Sequence, residues 1–531
     1  MKDGRKLRLK KFYFHPITQY IVMTIIVIVL SGIFSALQMQ STYRIVNENT
    51  YELDPTLIAV ENLLSFNGFK YLISNAAKNF LSFGPLASLI ISLIGITVAE
   101  ATGLIETFSK KYLKKIPKPT LTFIIIFIAT ISSLINDVGF GILIPLVALI
   151  YFINGRNPIL GIVTAFCGVA FGYGVSIFVG STEVALMDYT KNAAMLIDDT
   201  THIALTSNLI FVIVASIVLS IVGTIIIEKI ISNRVGKYKR EDDFATTEQY
   251  KVISLEEEEQ KKIEKEKNEK RGLKHALIVA IIFAFIIVYS LIPNLPYSGM
   301  LLDMNETTYL NQLFGENAYF QDGFTYMVSL FFVLTGLAYG IGAKSIKNDR
   351  DLIEKANQGF ENIGSSIILL FAAAQFIAMF KKSNIGIVVT SWLANLLGIM
   401  NLSGVALIIV ALIFIAVANL LLTGASNKWM IFSAVLVPSF MQANISPQFA
   451  QIIMRAGDSM TNGITPLFAA SVIYISYLNI YNLNKEKPYT LKRAFNLVTP
   501  YFLLISATWI ILIVGWYILG LPIGPKVLPT I

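Results

Sequence analysis

The chain has 531 residues, of which 55% are hydrophobic and only 14% are charged. Many apolar runs reach the roughly 20 residues that a helix needs to cross a bilayer, so a soluble protein is excluded. One cysteine and three histidines leave no intrachain disulfide and no transition-metal cluster. The net charge of +8 comes from lysines beside the apolar runs, as membrane orientation requires, and implies no nucleic-acid partner. The composition predicts an all-α polytopic membrane protein.

The distribution of lysine and arginine predicts the orientation of the first spans. The basic N-terminus lies in the cytoplasm, and the apolar run 17–37 is the first crossing. The outer loop 38–79 contains a candidate amphipathic surface helix at 62–80. Run 83–108 then returns to a cytoplasmic loop that is rich in lysine: Lys110, Lys111, Lys114, Lys115 and Lys118.

The next apolar stretch, 120–153, has one polar break, at Asn136-Asp137. Each arm has about 16 residues, fewer than the roughly 20 that a crossing needs. Both ends of the stretch are basic, with Arg156 as the only charge after it, so both ends lie inside. The pattern predicts a re-entrant hairpin, and a single long tilted helix is the alternative.

The first half ends in a polar segment. Run 159–186 crosses outward to a mostly acidic loop, and run 203–231 returns. Segment 233–275 mixes Lys and Glu at helical spacing, which is typical of a solvated helix and here predicts a cytoplasmic linker between two halves. Run 276–292 then crosses outward to a loop that ends near residue 325 and has no Lys or Arg.

The second half repeats the order of the first upside down. Its predicted elements are an entering span at 326–341, an inner surface helix at 352–363, an outward span at 365–380, a hairpin from outside at 405–441, an interrupted inward run at 449–478 and a last span at 495–519. This scheme places Lys381-Lys382 outside, against the usual bias, and gives the apolar run 384–400 no clear place.

The predicted architecture has about nine transmembrane helices and two re-entrant hairpins in inverted repeats. Its domains are a first repeat at 1–232 with a tip near 136–137, the linker 233–275, a connecting span and outer loop at 276–322, and a second repeat at 323–531 with a tip near 423–429. Interrupted hydrophobic segments in matching places of two halves indicate the binding site of a transporter.

The two tips carry polar groups that suit ions or substrates. Asp137 is a carboxylate in an apolar setting, which is costly unless it serves a proton, an ion or a substrate. Alternatively, Asn136 and Asp137 only cap the second arm. At the second tip, Ser426 and Asn427 offer hydroxyl and amide groups beside the free N–H groups of a half-helix, which favour an anion. Trp429 offers an indole face to an aromatic substrate or, alternatively, packs at the interface.

Two further polar breaks, at 172–183 and 455–466, follow the hairpins. Arg455 and Asp458 are three residues apart on one helical face and are expected to pair, either beside a ligand or as a buried ion pair without one. The surrounding polar side chains need partners and predict a solvated cavity: Ser459, Thr461, Asn462 and Thr465.

Five motifs carry a resemblance to a known family: NDVGFGILIPL, VAEATGL (98–104), SNKW (426–429) and NISPQ (444–448), which leads into RAGDSMTNGITP. With them the chain resembles the p-aminobenzoyl-glutamate transporter (AbgT) family from His15-Pro16 to about Asn482. The resemblance implies a fold of nine spans and two hairpins, as one protomer of a bowl-shaped homodimer. It also implies an ion-gradient-driven secondary transporter, or antiporter, that moves p-aminobenzoyl-glutamate and in some members exports sulfonamide drugs.

The resemblance also implies site residues. Seven positions match the family's substrate path: Asp137, Ser426, Trp429, Pro447, Arg455, Asp458 and Pro466. Asn136 and Asn427 depart from the residues usual in the family, as does Glu183 in Ser-Thr-Glu-Val. The additional amides near the two tips are expected to alter the choice of substrate or ion.

The expected protein is a multi-pass transporter of the bacterial inner membrane and not an enzyme. Asp137 and Asp458 are expected to couple transport to Na⁺ or H⁺, with sodium near these two carboxylates as the only metal expected and no other cofactor. Arg455 and Trp429 are expected to hold an aromatic acid, with Thr461 and Asn462 nearby. The alternatives are a dicarboxylate or amino-acid carrier on the same architecture, and a passive channel.

Overall fold

The structure, a computed structural model, describes residues 14–47, 50, 52–135, 138–238, 255–315, 317–361 and 363–531. Helices dominate these residues, and one antiparallel hairpin is formed by β1 (Gln40–Val46) and β2 (Leu53–Ala59). The helices before the polar linker are α1 (Pro16–Ala36), α2 (Phe66–Leu81), α3 (Gly84–Ala101), α4 (Leu104–Lys111), α5 (Lys118–Ile131), α6 (Val138–Ile153), α7 (Pro158–Phe171), α8 (Ser181–Met195), α9 (Leu209–Ile226) and α10 (Ser232–Val235).

The helices after it are α11 (Leu255–Ser290), α12 (Tyr309–Phe314), α13 (Tyr319–Ala343), α14 (Asp349–Gln358), α15 (Ile363–Lys382), α16 (Ile385–Ile399), α17 (Gly404–Asn419), α18 (Ala425–Gln442), α19 (Pro447–Thr461), α20 (Ser471–Ile480) and α21 (Leu491–Leu519). The all-α polytopic fold class predicted from the sequence is therefore confirmed, with one β-hairpin added to it.

Several helices are long enough to span a membrane. Among the described residues, 8 helices are long and apolar enough to cross a bilayer, judged by length and composition. They include Lys118–Ile135, the first arm of the first hairpin, which a short 3₁₀ turn extends beyond α5. The interrupted spans are built from shorter helices. The count of nine crossings and the re-entrant path of both hairpins remain predictions.

Each hairpin has two helical arms with a short tip between them. In the first, α6 begins at Val138, directly after Asn136 and Asp137, which lie outside the described residues. In the second, α17 ends at Asn419 and α18 begins at Ala425. Gly424 caps α18 with φ of 97°, a backbone conformation that only glycine adopts easily, so the turn at this tip depends on it.

The two interrupted spans cross where their helices stop. The first span leaves the helix after Phe171 and resumes at Ser181, and the second stops at Thr461 and resumes at Ser471. Gly174 in the first break lies directly against α19. A Cβ atom at this glycine would sit 2.6 Å from the carbonyl oxygen of Arg455, so only a residue without a side chain allows the approach.

One order of elements occurs twice along the chain. It runs from an amphipathic helix (α2 or α14) through a long helix, a further helix, a helical hairpin and an interrupted span to a final long helix. The amphipathic helices predicted at 62–80 and 352–363 correspond to α2 and to α14, which begins and ends earlier than predicted, and their position on the membrane surface remains a prediction. The inversion of one half relative to the other remains a prediction.

Lys382 lies on the same side of the molecule as the loop after α1. Its Nζ is 2.7 Å from Oε2 of Glu61, which follows β2. Its ammonium also lies 5.6 Å from the centre of the Tyr71 ring in α2. An acidic partner and an aromatic face on the same side give this lysine a local reason to lie on the side predicted as outer, against the general bias of lysine.

The apolar run 384–400 forms α16, which packs against the β-hairpin. The hydroxyls of Ser41 and Ser391 are 2.8 Å apart, and Nε1 of Trp392 donates to the carbonyl of Gln40 at 3.0 Å. In the repeated order, α16 occupies the place that α4 holds in the first half. The β-hairpin itself was not predicted from the sequence.

The charged segment does not end where the predicted linker ends. Helix α11 continues without a break from Leu255 to Ser290, through the boundary predicted at residue 275. Residues 239–254 of the predicted linker lie outside the described residues. The single long helix α11, a continuous rod, thus contains both the charged residues and an apolar span.

The core surrounds the hairpins and the interrupted spans. The second arms pack on the opposite half, α18 on α8 and α6 on α20. The rings of Phe166 in α7 and Tyr474 in α20 stack with their centres 4.1 Å apart. Every residue of α7 and α19 is buried, whereas α1 and α11 expose apolar side chains, as bilayer-facing helices do.

Candidate functional site

Arg455 of α19 pairs with Glu183 of α8, across the crossing of the two breaks. One guanidinium nitrogen donates to Oε1 of Glu183 at 2.5 Å, and the side chains are only 3% and 6% exposed. The other oxygen, Oε2, accepts from the backbone N–H of Gly180 at 2.8 Å, so Glu183 also caps α8. The backbone of the break thereby holds the carboxylate in place.

The guanidinium of Arg455 retains donor capacity. Within the described part of the chain, its buried Nε has no hydrogen-bond partner. A buried donor without a partner costs free energy, and arginine binds carboxylates through two parallel N–H groups. The site therefore suits a second anionic group that arrives from outside the protein.

Asp458, one turn further along α19, pairs with Lys428 of α18. The ammonium contacts Oδ1 of Asp458 directly, and both side chains are almost fully buried. The ammonium also donates to Oδ1 of Asn419 at 2.7 Å and to the carbonyl of Leu422 at 3.0 Å. The expected pairing of Arg455 with Asp458 is therefore wrong, because α19 is enclosed and each side chain faces a different neighbour.

Asn419, the last residue of α17, connects the second hairpin to the second break. Its Nδ2 lies 2.7 Å from the carbonyl oxygen of Asp458, 3.0 Å from Oγ1 of Thr461 and 2.9 Å from Oδ1 of Asn462. Nδ2 of Asn462 in turn donates to Oδ2 of Asp458 at 3.3 Å. Thr461 and Asn462, predicted to line a solvated cavity, are buried and bonded to protein groups.

A cavity of about 190 Å³ lies at the second tip, between the hairpin and the first break. Ser426 and Asn427 line it, and their role in substrate binding remains a prediction. Across from them it is lined by Tyr173 and by residues of the first turns of α8, namely Ser181, Thr182 and Ala185. The helix whose start forms this wall is the one that carries Glu183.

Trp429 is fully buried against α8. Its Nε1 donates to Oγ1 of Thr190 at 2.8 Å, and Nε2 of Gln451 donates to the same hydroxyl at 3.1 Å. The indole does not line the cavity at the second tip. Stacking of Trp429 on a substrate therefore requires the indole to leave this position.

The two predicted prolines shape the backbone around α19. Pro447 is the first residue of the helix, where its missing N–H costs nothing, and Ser446 before it accepts from the N–H of Phe449 at 3.3 Å. Pro466 is half-buried in the second break, after Thr465. Neither residue brings a polar side chain to the site.

Three residues of this arrangement were not among the predicted site residues: Glu183, Lys428 and Asn419. Glu183 and Lys428 each give a signal in the sequence. Glu183 is an acid at the end of a predicted break, and Lys428 is a cation inside an apolar hairpin, which membrane proteins retain for a function.

Long apolar helices, two polar hairpin tips and buried ion pairs at the crossing of two interrupted spans define a polytopic membrane transporter. The model of the "AbgT putative transporter family" matches residues 9–530, and the chain belongs to this family.

The relatives and solved structures that resemble the chain cover nearly all of it. The p-aminobenzoyl-glutamate transport protein of Escherichia coli (strain K12) is 28% identical over 517 residues, 97% of this chain and 94% of that protein. The YdaH transporter of Alcanivorax borkumensis is 26% identical, covering 96% of this chain and 100% of that one, with a TM-score of 0.47. MtrF of Neisseria gonorrhoeae, from a class of antimetabolite efflux pumps, is 27% identical, covering 97% and 98%, with a TM-score of 0.47.

Proposed function

We propose that this protein is an ion-gradient-driven secondary transporter of p-aminobenzoyl-glutamate or related aromatic acids. The observation that carries the proposal is the buried Arg455, whose partner Glu183 comes from the other half of the chain. Its free Nε suits a substrate carboxylate. The family, and a relative named as a p-aminobenzoyl-glutamate transport protein, support this choice of substrate.

In the proposed cycle the substrate replaces Glu183 at Arg455. A carboxylate of the substrate enters from the cavity at the second tip, where Ser426 and Asn427 offer polar contacts. This carboxylate replaces Glu183 as the hydrogen-bond partner of the guanidinium, and Glu183 keeps its hydrogen bond to the backbone N–H of Gly180. Because Arg455 and Glu183 belong to different halves, this exchange loosens one contact between the halves, as alternating access requires.

Asp458 and Asp137 are the proposed coupling groups. A proton on Asp458 would cancel its attraction for the Lys428 ammonium, whereas a sodium ion would have to share the carboxylate with that ammonium. Asp137 lies outside the described residues and keeps its predicted role beside the first tip. Proton and sodium gradients must therefore be imposed separately.

Aromatic contact with the substrate has two proposed sources. Tyr173 lines the cavity at the second tip and can pack on an aminobenzoyl ring without rearrangement. Trp429 can do so only after leaving Thr190. We further propose that the protein works as a homodimer in the bacterial inner membrane, as the family resemblance implies.

A dicarboxylate or amino-acid carrier is the second candidate function. It is favoured by the lining of the tip cavity, where four polar side chains accompany a single aromatic one: Ser181, Thr182, Ser426 and Asn427, with Tyr173. Competition separates the two candidates. Excess succinate or aspartate should not reduce uptake of p-aminobenzoyl-glutamate under the first proposal and should abolish it under the second.

The direct test is uptake of labelled p-aminobenzoyl-glutamate into proteoliposomes, with imposed proton and sodium gradients applied separately. We expect accumulation under one gradient only and none in Arg455→Ala. The matched control is Arg350→Ala, which removes an exposed arginine from α14 and should leave uptake unchanged. Gradient-independent flux would indicate a passive channel. If folded protein shows no uptake but does show gradient-driven efflux of a sulfonamide, the function is antimetabolite export and not uptake of p-aminobenzoyl-glutamate.

A further inference from the structure

Two adjoining cavities lie away from the ion pairs, at the end of the bundle predicted as cytoplasmic. Both have walls from α4, α11 and α13. One measures about 760 Å³ and is lined largely by charged side chains. The other measures about 490 Å³ and is lined almost entirely by apolar ones. Among the described residues, this pair shares no lining residue with the cavity at the second tip.

Helix α4 divides its two faces between the cavities. Lys110 and Lys111 line the charged cavity, and Ile105 and Phe108 line the apolar one. The helix is amphipathic and spans only Leu104–Lys111, so its charged and its apolar side chains lie close to one another. Its position, just before the first hairpin, places the two cavities beside the element that leads to the first tip.

The two cavities follow one another along the axis of α11. Glu269 and Lys270 line the charged cavity, and Ala276 and Ala280 line the apolar one further along the rod. With a rise of about 1.5 Å per residue, the step from Lys270 to Ala280 is about 15 Å. This separation matches the distance from a phospholipid headgroup to the middle of its acyl chain.

A buried hydrogen bond lies in the wall of the charged cavity. The hydroxyls of Thr107 in α4 and Tyr339 in α13 are 2.6 Å apart, and both residues line the charged cavity. One turn before Tyr339, Thr335 lines the apolar cavity. Polar hydroxyls at the boundary suit the ester region of a lipid, which needs hydrogen-bond donors between a charged and an apolar end.

We propose that the two cavities together hold one phospholipid with a zwitterionic aminophosphate headgroup. One of its two acyl chains occupies the apolar cavity, the other stays in the bilayer, and the headgroup occupies the charged cavity. The lining of the charged cavity carries equal numbers of both signs, which favours a phosphate with an attached ammonium over a purely anionic headgroup. These residues are Lys110, Lys111, Lys265 and Lys270, with Glu106, Glu264, Glu266 and Glu269.

The bound lipid adds contacts between α4 and the pair of α11 and α13, which already pack closely on each other at this end. It fills the space between α4, which leads to the first hairpin, and the pair α11 and α13. The acyl chain is already out of water in the bilayer, so the gain comes from van der Waals packing of the chain against the helices that line the cavity. The lipid therefore stabilises the hairpin base against the rod formed by α11, independently of substrate.

The test is lipid binding by the full-length protein in mild detergent, measured with phosphatidylethanolamine and, separately, phosphatidylglycerol. Native mass spectrometry counts retained lipids, and the thermal unfolding midpoint reports their effect. We expect one saturable phosphatidylethanolamine per protomer, a rise in the unfolding midpoint with this lipid and at least tenfold weaker binding of phosphatidylglycerol.

Two variants with matched controls locate the site. Ala280→Trp fills the apolar cavity and should abolish saturable binding, while Val288→Trp, on the exposed face of the same helix, should not. Lys270→Gln should weaken binding about tenfold, or 1.4 kcal/mol, while Lys114→Gln, which does not line the cavity, should leave it unchanged.

Three outcomes would overturn the proposal: equal retention by Ala280→Trp and its control, which would mean annular lipid only; a preference for phosphatidylglycerol; or no saturable binding at all. Size-exclusion profiles of the variants establish that they fold. Because the readout is lipid retention, it is independent of whether the protein carries p-aminobenzoyl-glutamate.

Discussion

Arg455 and Glu183 lie 272 residues apart in the chain and are joined by a hydrogen bond of 2.5 Å in the interior of the protein. Each belongs to an interrupted span, one in each half of the chain. A buried arginine that lost this carboxylate would cost about 3–5 kcal/mol, so the pair holds the two halves together. Under the proposed cycle, the pair would link substrate binding to the contact between the halves.

Glu183→Gln should separate binding from turnover. The variant leaves Arg455 without its carboxylate, so an anionic substrate should bind more tightly, by about tenfold or 1.4 kcal/mol. Turnover should fall, because Glu183 no longer competes to release the product. Equilibrium binding and proteoliposome uptake measure the two effects.

The control is Glu354→Gln, which removes the acid of an exposed pair with Arg350 and should change neither quantity. Weaker substrate binding by Glu183→Gln, in protein whose unfolding midpoint recovers on adding substrate, would contradict the proposed exchange.

Asp458→Asn should destabilise the protein by about 3–5 kcal/mol, because the buried Lys428 ammonium loses its counter-charge. The double variant Lys428→Met/Asp458→Leu removes both charges and should recover most of that stability. Transport should stay absent in the double variant if Asp458 is a coupling group. Thermal unfolding and uptake distinguish the structural role from the coupling role, and transport by the double variant would leave Asp458 with a structural role only.

Trp429→Phe keeps an aromatic ring and removes the N–H that donates to Thr190. We expect the stability to fall by about 0.5–1.5 kcal/mol, the usual net value of a hydrogen bond, with little change in KM. If the indole stacks on the substrate during transport, KM should instead rise several-fold. Comparing Tyr173→Phe and Tyr173→Ala, which keep and remove the ring that lines the cavity, locates the aromatic contact.

Gly174→Ala should abolish transport, because the new methyl group would sit 2.6 Å from the carbonyl oxygen of Arg455 and force the two breaks apart. Gly515→Ala in α21 is the matched control. Its methyl group meets no atom of another described part of the chain within 4 Å, and alanine favours helix, so stability should rise slightly. Uptake and thermal unfolding of both variants test whether transport needs the close contact between the two interrupted spans. Normal uptake by Gly174→Ala would mean that it does not.

Cysteine labelling should test the predicted orientation. The single native cysteine, Cys167, is buried, so it should give little background with a membrane-impermeant thiol reagent. Lys382→Cys should be labelled from outside intact cells, and Lys111→Cys only after permeabilisation. The reverse pattern would invert the assignment of both halves.

The sequence predicts that the two spans break but not which side chains meet there. Polar residues with glycine or proline interrupt the apolar runs at 172–183 and 455–466, and the first helix does end at Phe171. The second prediction was wrong in its bounds, because α19 continues through Arg455 to Thr461 and the next helix begins only at Ser471. Local composition thus indicates a break but not its bounds.

The ion pairs could not be predicted in this way. Helical spacing places Arg455 and Asp458 on one face, but every residue of α19 is buried, so each side chain meets a different neighbour. Their partners Glu183 and Lys428 come from elements distant in the chain or across a turn. Only the tertiary arrangement decides between such partners.

The β-hairpin and α16 show the same limit. The strand residue Ser41 contacts Ser391, 350 residues later, and no local pattern reveals this partner. Lys382, whose predicted outer position is against the general bias of lysine, likewise has a long-range partner, Glu61. Long-range partners therefore explain the elements that the sequence left without a clear place.

The most direct test of the central claim measures binding of p-aminobenzoyl-glutamate and of its two monoamides, each of which lacks one carboxylate, to two proteins. The first is the unmodified chain. The second is the double variant Arg455→Gln/Glu183→Gln, which leaves no buried charge unpaired. We predict that the unmodified protein binds one monoamide at least tenfold more weakly than the parent compound, and that the double variant binds all three compounds alike. Equal discrimination by both proteins would contradict the claim that Arg455 holds a substrate carboxylate.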